Sequence, residues 1–191
     1  MSAVTGGIGD RPLLHLSEEQ IGPLLPPPLE GIALARRALV ALADGTAELP
    51  PKPAVHPREN GFANAMPAYL RDGDLLGIKW IAAYPGNVQL GLPSHVGLLV
   101  MSDAATGLPL AVMGAATITG ARTAAVSGAC IEALSPPQPG HVAITAAGVQ
   151  ARTHLAVLDA LGRTDVAVVT RGPASTAALT RWRTSTCRTS C

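Results

Sequence analysis

Apolar positions along the chain fall into helical runs and extended runs, separated by proline and glycine. In residues 29–43, "LEGIALARRALVALA", apolar side chains return at helical spacing and the run stops at Asp44-Gly45, which predicts a helix with a glycine end signal. Ahead of it, Pro23 and Pro26 to Pro28 break any helix in "LSEEQIGPLLPPP". The stretch "ELPPKPAVHP" must be extended, because each proline restricts itself and the residue before it. "DLLGIKWIAAY" (74–84) predicts a strand. "HVGLLVMSDAATGLPLAVM" (95–113) predicts two strands around a turn, with Gly107 available for positive φ. "TITGARTAAVSGACIEAL" (117–134) predicts a helix with a threonine near its start and small residues for close packing. "SPPQPG" (135–140) predicts a linker. "HVAIT" is then almost wholly apolar, as a strand buried on both faces should be. A helix after the turn at Gly148 and the strand 165–170 complete a predicted β-α-β unit.

Composition narrows the function classes. With 191 residues, 48% hydrophobic and 14% charged, the chain can bury a real core. A net charge of +1 gives no basic footprint for nucleic acid or anionic lipid, and 3% aromatics leave little for base stacking. No apolar run approaches the roughly 20 residues of a membrane span. The start lacks a basic segment followed by an apolar one, so no secretory signal is expected. Cys130, Cys187 and Cys191 make no disulfide framework, and Cys187 and Cys191 have no histidine nearby for zinc. A cytoplasmic protein without a metal is the expectation. Twelve arginines stand against only two lysines, Lys52 and Lys79, both in apolar or proline-flanked surroundings.

The β-α-β unit offers the first chemistry. Its turn is Ala146-Ala147-Gly148, where dinucleotide-binding folds carry G-x-G-x-x-G. Gly148 would let a phosphate approach the backbone, and the helix start would supply N–H donors. Ala146 replaces the first glycine, and Ala151 stands at the last, where alanine is tolerated. A plain strand–helix turn and a weakened phosphate loop both remain open. At the tip of the second strand, where an acid would hold the ribose of NAD, stands Arg171. It suits a 2′-phosphate and so favours NADP, or it is a solvated arginine.

The pieces "LPPKPAV", "AMPAY", "GIKW", "LPSH", "TGLPLAVM", "ARTAAVSG" and "GVQART" follow one another in an order and spacing that resembles the ornithine cyclodeaminase/mu-crystallin family, over roughly residues 28 to 180. The resemblance implies an α/β fold: an N-terminal α/β substrate and dimerisation domain, then the first β-α-β of an incomplete Rossmann domain. Its boundaries would be a disordered 1–12, a substrate domain at 13–135, a partial NAD(P)-binding domain at 140–179 and an irregular tail at 180–191. It implies a small amino or imino acid substrate, NAD or NADP as cofactor, and a homodimer. Ornithine would be cyclised to proline with loss of ammonia, through a hydride lent and returned. Alternatives are an NADPH-dependent ketimine or pyrroline-carboxylate reductase of the mu-crystallin branch, and a non-catalytic NADP-binding protein. By resemblance, Lys52, Lys79 and Arg122 bind the substrate carboxylate, and Arg122 also reaches the cofactor. Ser94, Gly148, Val149 and Gln150 contact the cofactor, with Arg171, while His95 is structural. The family's catalytic aspartate would lie beyond the chain, so none of its residues is assigned as catalytic. The resemblance fades near Leu179, and the Arg/Thr/Ser/Cys composition beyond it reads as a change of frame or a premature end. The strand at 165–170 is then expected to lack a partner on one side, leaving an exposed edge.

Overall fold

The computed structural model describes residues 7–8, 11–136, 140–145, 148–170 and 183–186, and the fold is mixed α/β. It has two compact units that do not follow chain order: Met1–Leu25 with Arg37–Thr119, and Pro26–Arg36 with Gly120–Cys191.

The first unit is a seven-stranded mixed sheet. Its strands are β3 (Leu14–Leu16), β4 (Ala47–Glu48), β5 (Ala54–Arg58), β6 (Gly61–Leu70), β7 (Leu75–Ala83), β8 (His95–Asp103) and β9 (Pro109–Gly114). They run in the order β3-β9-β8-β7-β6-β4, with β5 also on β6. The strands predicted at 74–84 and 95–113 are β7, β8 and β9. The hairpin of β8 and β9 turns at Gly107, with φ +73°, while Asp103 accepts hydrogen bonds from the Thr106 amide and hydroxyl. β6 is not among the predicted strands: it has no β-branched residue and contains Pro67, and only Phe62 and Tyr69 favour extended chain. Pro67 is tolerated because its nitrogen faces the same edge as the Ala65 amide. There β4 pairs only at Tyr69 and Leu70, and β5 only at Gly61 to Asn64. Before the sheet, β1 (Gly7–Ile8) and β2 (Arg11–Pro12) form a short antiparallel ladder in a segment expected to be disordered. Ser17 then starts α1 (Glu18–Ile21) with a reciprocal capping box to Gln20.

The sheet buries one face poorly. Cross-strand register puts Ile78 and Trp80 of β7 beside Val100 and Leu98 of β8, with Val96 on the same face. Trp80 is 47% exposed and Leu98 48%.

The second unit takes the N-terminal part of α2 (Pro28–Ala43), most of α3 (Ala116–Leu134), and the parallel sheet β10 (Val142–Thr145), β11 (Val166–Thr170) and β12 (Arg183–Thr186) with α4 (Val149–Ala160). Leu155, Leu158, Val166 and Val168 form one core cluster, flanked by Ile131, Val142 and Ile144. Ile32, Ala124, Ala129 and Val157 form another. β12 corrects the expectation that β11 lacks a partner on one side: it runs parallel to β11, from Ala167 opposite Arg183 to Thr170 opposite Thr186. Backbone N–H and C=O groups make a ladder whatever the side chains, so an extended segment without hydrophobic periodicity still closes that edge. The segment expected to be an irregular tail supplies that strand. No helix among the described residues is long and apolar enough to cross a membrane.

Candidate functional site

Lys79 lies on β7, opposite Met66 of β6 and Leu99 of β8. Its ammonium donates to the Thr119 hydroxyl in the first turns of α3 at 3.5 Å, the outer limit of a hydrogen bond. Lys52 stands in the extended Pro-Lys-Pro segment just before β5 and is exposed. Ala54 pairs with Asn64, and the Ala65 amide donates to the Pro53 carbonyl at 3.1 Å. Lys52 itself precedes the strand and lies outside the paired residues of β5 and β6. Both lysines belong to the first unit, Lys79 within its sheet and Lys52 just ahead of β5.

Arg122 is exposed on α3, three positions after Thr119 and so one helical turn further on. The start of that helix is held by a residue that sequence reading missed. The Glu18 carboxylate accepts from the amides of Ala116 and Thr117, each at 2.8 Å, across nearly a hundred residues of chain. The threonine expected to begin the helix is therefore a partner of the cap rather than the cap. Burial opposes the charge on Glu18. Hydrogen bonds from the Thr117 hydroxyl and from the Thr117 and Ala116 amides outweigh it and hold the carboxyl below its usual range. Gly114 makes room for this, because a Cβ there would stand 2.5 Å from a Glu18 carboxylate oxygen.

Ser94 is half-buried and its hydroxyl lies 3.1 Å from His95 Nδ1, while its carbonyl accepts from the Tyr84 amide at 2.8 Å. Both residues belong to the first unit, where the sheet sets their place.

The start of α4 is left open at Gly148. Gly148 is the N-cap, no side chain caps it, and the first turn carries no acid to neutralise the positive helix end. Gly148 has φ −76°, which any residue adopts, and a Cβ on it would meet nothing within 4 Å. Neither strain nor internal packing requires glycine there. What the missing side chain leaves open is approach from outside, which fits a pyrophosphate on the amides of Val149 and Gln150. Val149 and Gln150 are exposed. Ala146, Ala147 and Arg171 lie outside the described residues. Among the described residues no three His, Cys, Asp or Glu side chains group to hold a metal.

A model of the ornithine cyclodeaminase/mu-crystallin family matches residues 29–188. The chain belongs to this family. Its relatives within the ornithine cyclodeaminase/mu-crystallin family carry the names of distinct activities. It is 44% identical to the nodulation efficiency protein NfeD of Rhizobium meliloti over 60% of this chain and 36% of that protein. The fold is similar to the Δ1-pyrroline-2-carboxylate reductase of Thermococcus litoralis in complex with NADH and L-proline. There the TM-score is 0.83 and identity 30%, over 93% of this chain and 58% of that one. An archaeal alanine dehydrogenase dimer with bound NAD gives 0.79 and 27%, over 92% and 56%. The chain thus spans little more than half the length of these family members, or less.

Proposed function

We propose that this chain holds a small α-amino or α-imino acid beside a nicotinamide nucleotide, for hydride exchange at the carbon next to the carboxylate. The observation that carries this is Lys79, half-buried on β7 and bonded to Thr119 of α3 one turn before Arg122. Ammonium and guanidinium groups fix a carboxylate by charge-assisted hydrogen bonds, and a fixed carboxylate fixes the carbon attached to it. The open, uncapped start of α4 takes the pyrophosphate, through Gly148, Val149 and Gln150. When bound, the nicotinamide supplies or accepts the hydride. The family resemblance assigns Ser94 and Arg122 to the cofactor as well, and Arg171 to a 2′-phosphate, which favours NADP.

The reading best supported is reduction of a cyclic imino acid: carbon takes the hydride, nitrogen a proton, and NAD(P)H becomes NAD(P)+. Similarity to the pyrroline-2-carboxylate reductase supports it. The second reading, supported by the family match, is cyclisation of ornithine to proline with release of ammonia and no net oxidation. A homodimer in the cytoplasm completes the proposal. The half-exposed apolar face around Trp80 and Leu98 supports the dimer.

The test is turnover of Δ1-pyrroline-2-carboxylate with NADPH or NADH, set against ammonia release from ornithine with NAD+. Imine turnover favours the first reading and ammonia the second, while nucleotide binding with neither makes the chain a non-catalytic binder. In a parallel titration, Lys79→Ala and Arg122→Ala each weaken L-proline binding about 10- to 100-fold, from a charged hydrogen bond of roughly 1.5–3 kcal/mol. Unchanged affinity in both variants rejects the carboxylate site.

A further inference from the structure

We infer that Ser127 and His154 are positioning residues for the nucleotide-binding turn at the start of α4, joined through one imidazole. The inference rests on the role proposed for Gly148 to Gln150.

His154 Nδ1 lies 2.6 Å from the Gln150 carbonyl. A carbonyl only accepts, so Nδ1 carries the proton and Nε2 is left as an acceptor. The Ser127 hydroxyl on α3 lies 2.9 Å from Nε2, nearer than the Thr123 carbonyl at 3.3 Å that competes for its one proton, and donates to Nε2 as the closer acceptor. The result is one chain of hydrogen bonds from α3, through the imidazole, to the backbone of a residue in the nucleotide turn.

Other bonds at that turn stay within α4: the Thr153 hydroxyl lies 3.2 and 3.0 Å from the Val149 and Gln150 carbonyls, and the Arg152 amide donates to the Gly148 carbonyl at 3.2 Å. Gly148 gives α4 no side-chain cap, and Val149 is largely exposed. Apolar contacts also join α4 to α3. A Cβ on Gly120 would be 3.3 Å from side-chain carbons of Val149 and Thr153, and one on Gly128 would be 2.8 Å from Val157. Such contacts set how closely the helices approach, but they are non-directional and tolerate sliding. A hydrogen bond weakens steeply when its angle or length is lost, so the imidazole bridge sets where α4 stops along α3. A phosphate held by backbone amides needs that position held to a fraction of an ångström.

The experiment titrates the full chain with NADH and, separately, with L-proline, for wild type, Ser127→Ala, His154→Ala and His154→Gln. Val168→Ala, a core substitution elsewhere in the same unit, controls for general loosening. Ser127→Ala removes one oxygen and is the variant most certain to fold. The expected result is NADH affinity lowered about tenfold in Ser127→Ala and His154→Ala, as loss of about one hydrogen bond implies. L-proline affinity should stay within about twofold. His154→Gln should recover part of the loss, since its amide oxygen accepts from Ser127. Histidine nitrogen NMR of the wild type should show Nδ1 protonated and Nε2 bare. Wild-type NADH affinity in Ser127→Ala and His154→Ala overturns the inference alone. Equal loss for both ligands, or an equal effect of Val168→Ala, also overturns it, by reducing the bridge to a general stabilising contact. Failure of the wild type to bind NADH removes the reading of the turn and the inference together.

Discussion

Glu18 shows how one side chain can set a helix that carries function. Its two oxygens satisfy two of the four amides that an α-helix start leaves open. Replacing it with glutamine keeps the shape and removes the charge. We expect Glu18→Gln to destabilise the fold by about 1 kcal/mol, the usual loss for a cap, read from urea unfolding at neutral pH. The sign with pH follows from the lowered carboxyl. A carboxyl whose pKa falls on folding contributes in full above its unfolded value. The contribution disappears as pH drops through the folded value. The gap between wild type and Glu18→Gln should therefore be constant near neutrality and close as the pH falls below the usual 4.5. A gap that persists unchanged in acid would assign the effect to shape. No feature of "LSEEQI" pointed to a helix almost a hundred residues away, so this residue was not legible in the sequence. Lys79 was, because a lysine amid apolar strand residues is conspicuous.

At the level of elements, hydrophobic period and turn residues located α2, α3, α4, β7 to β11 and the Gly107 turn. β6 escaped because strand formation there comes from its neighbours. It pairs with β7 over nearly its whole length, despite Pro67 and little intrinsic preference. Close approach between strands is equally invisible from period alone. A Cβ on Gly97 would stand 2.5 Å from the Trp80 carbonyl oxygen, which is backbone and cannot swing away. Gly97→Ala should force β7 and β8 apart locally and cost about 1–3 kcal/mol, the range for an overpacked site, seen as a lowered melting temperature. The same change at Gly86, where a Cβ meets nothing within 4 Å, should leave stability within about 0.5 kcal/mol. Equal melting temperatures for the two variants would contradict the close approach of β7 and β8 at Gly97.

Over the whole molecule, the apolar face of the first unit is what a self-association surface needs. We expect light scattering to give a dimer mass, and Trp80→Glu to give a monomer, because a carboxylate placed at the centre of an apolar interface loses its water. A monomeric wild type would remove the homodimer from the proposal. By itself the sequence determined the α/β class, the order of most helices and strands, the family, and the residue types able to hold a carboxylate and a phosphate. These depend on period, turn chemistry and local composition, all written along the chain. Only the tertiary structure decided that Lys79 bonds to Thr119 of α3, that Glu18 caps α3, that His154 bridges α3 to the turn of α4, and that β12 covers β11. Each of these joins groups distant along the chain, and which distant groups meet is set by strand register and helix packing.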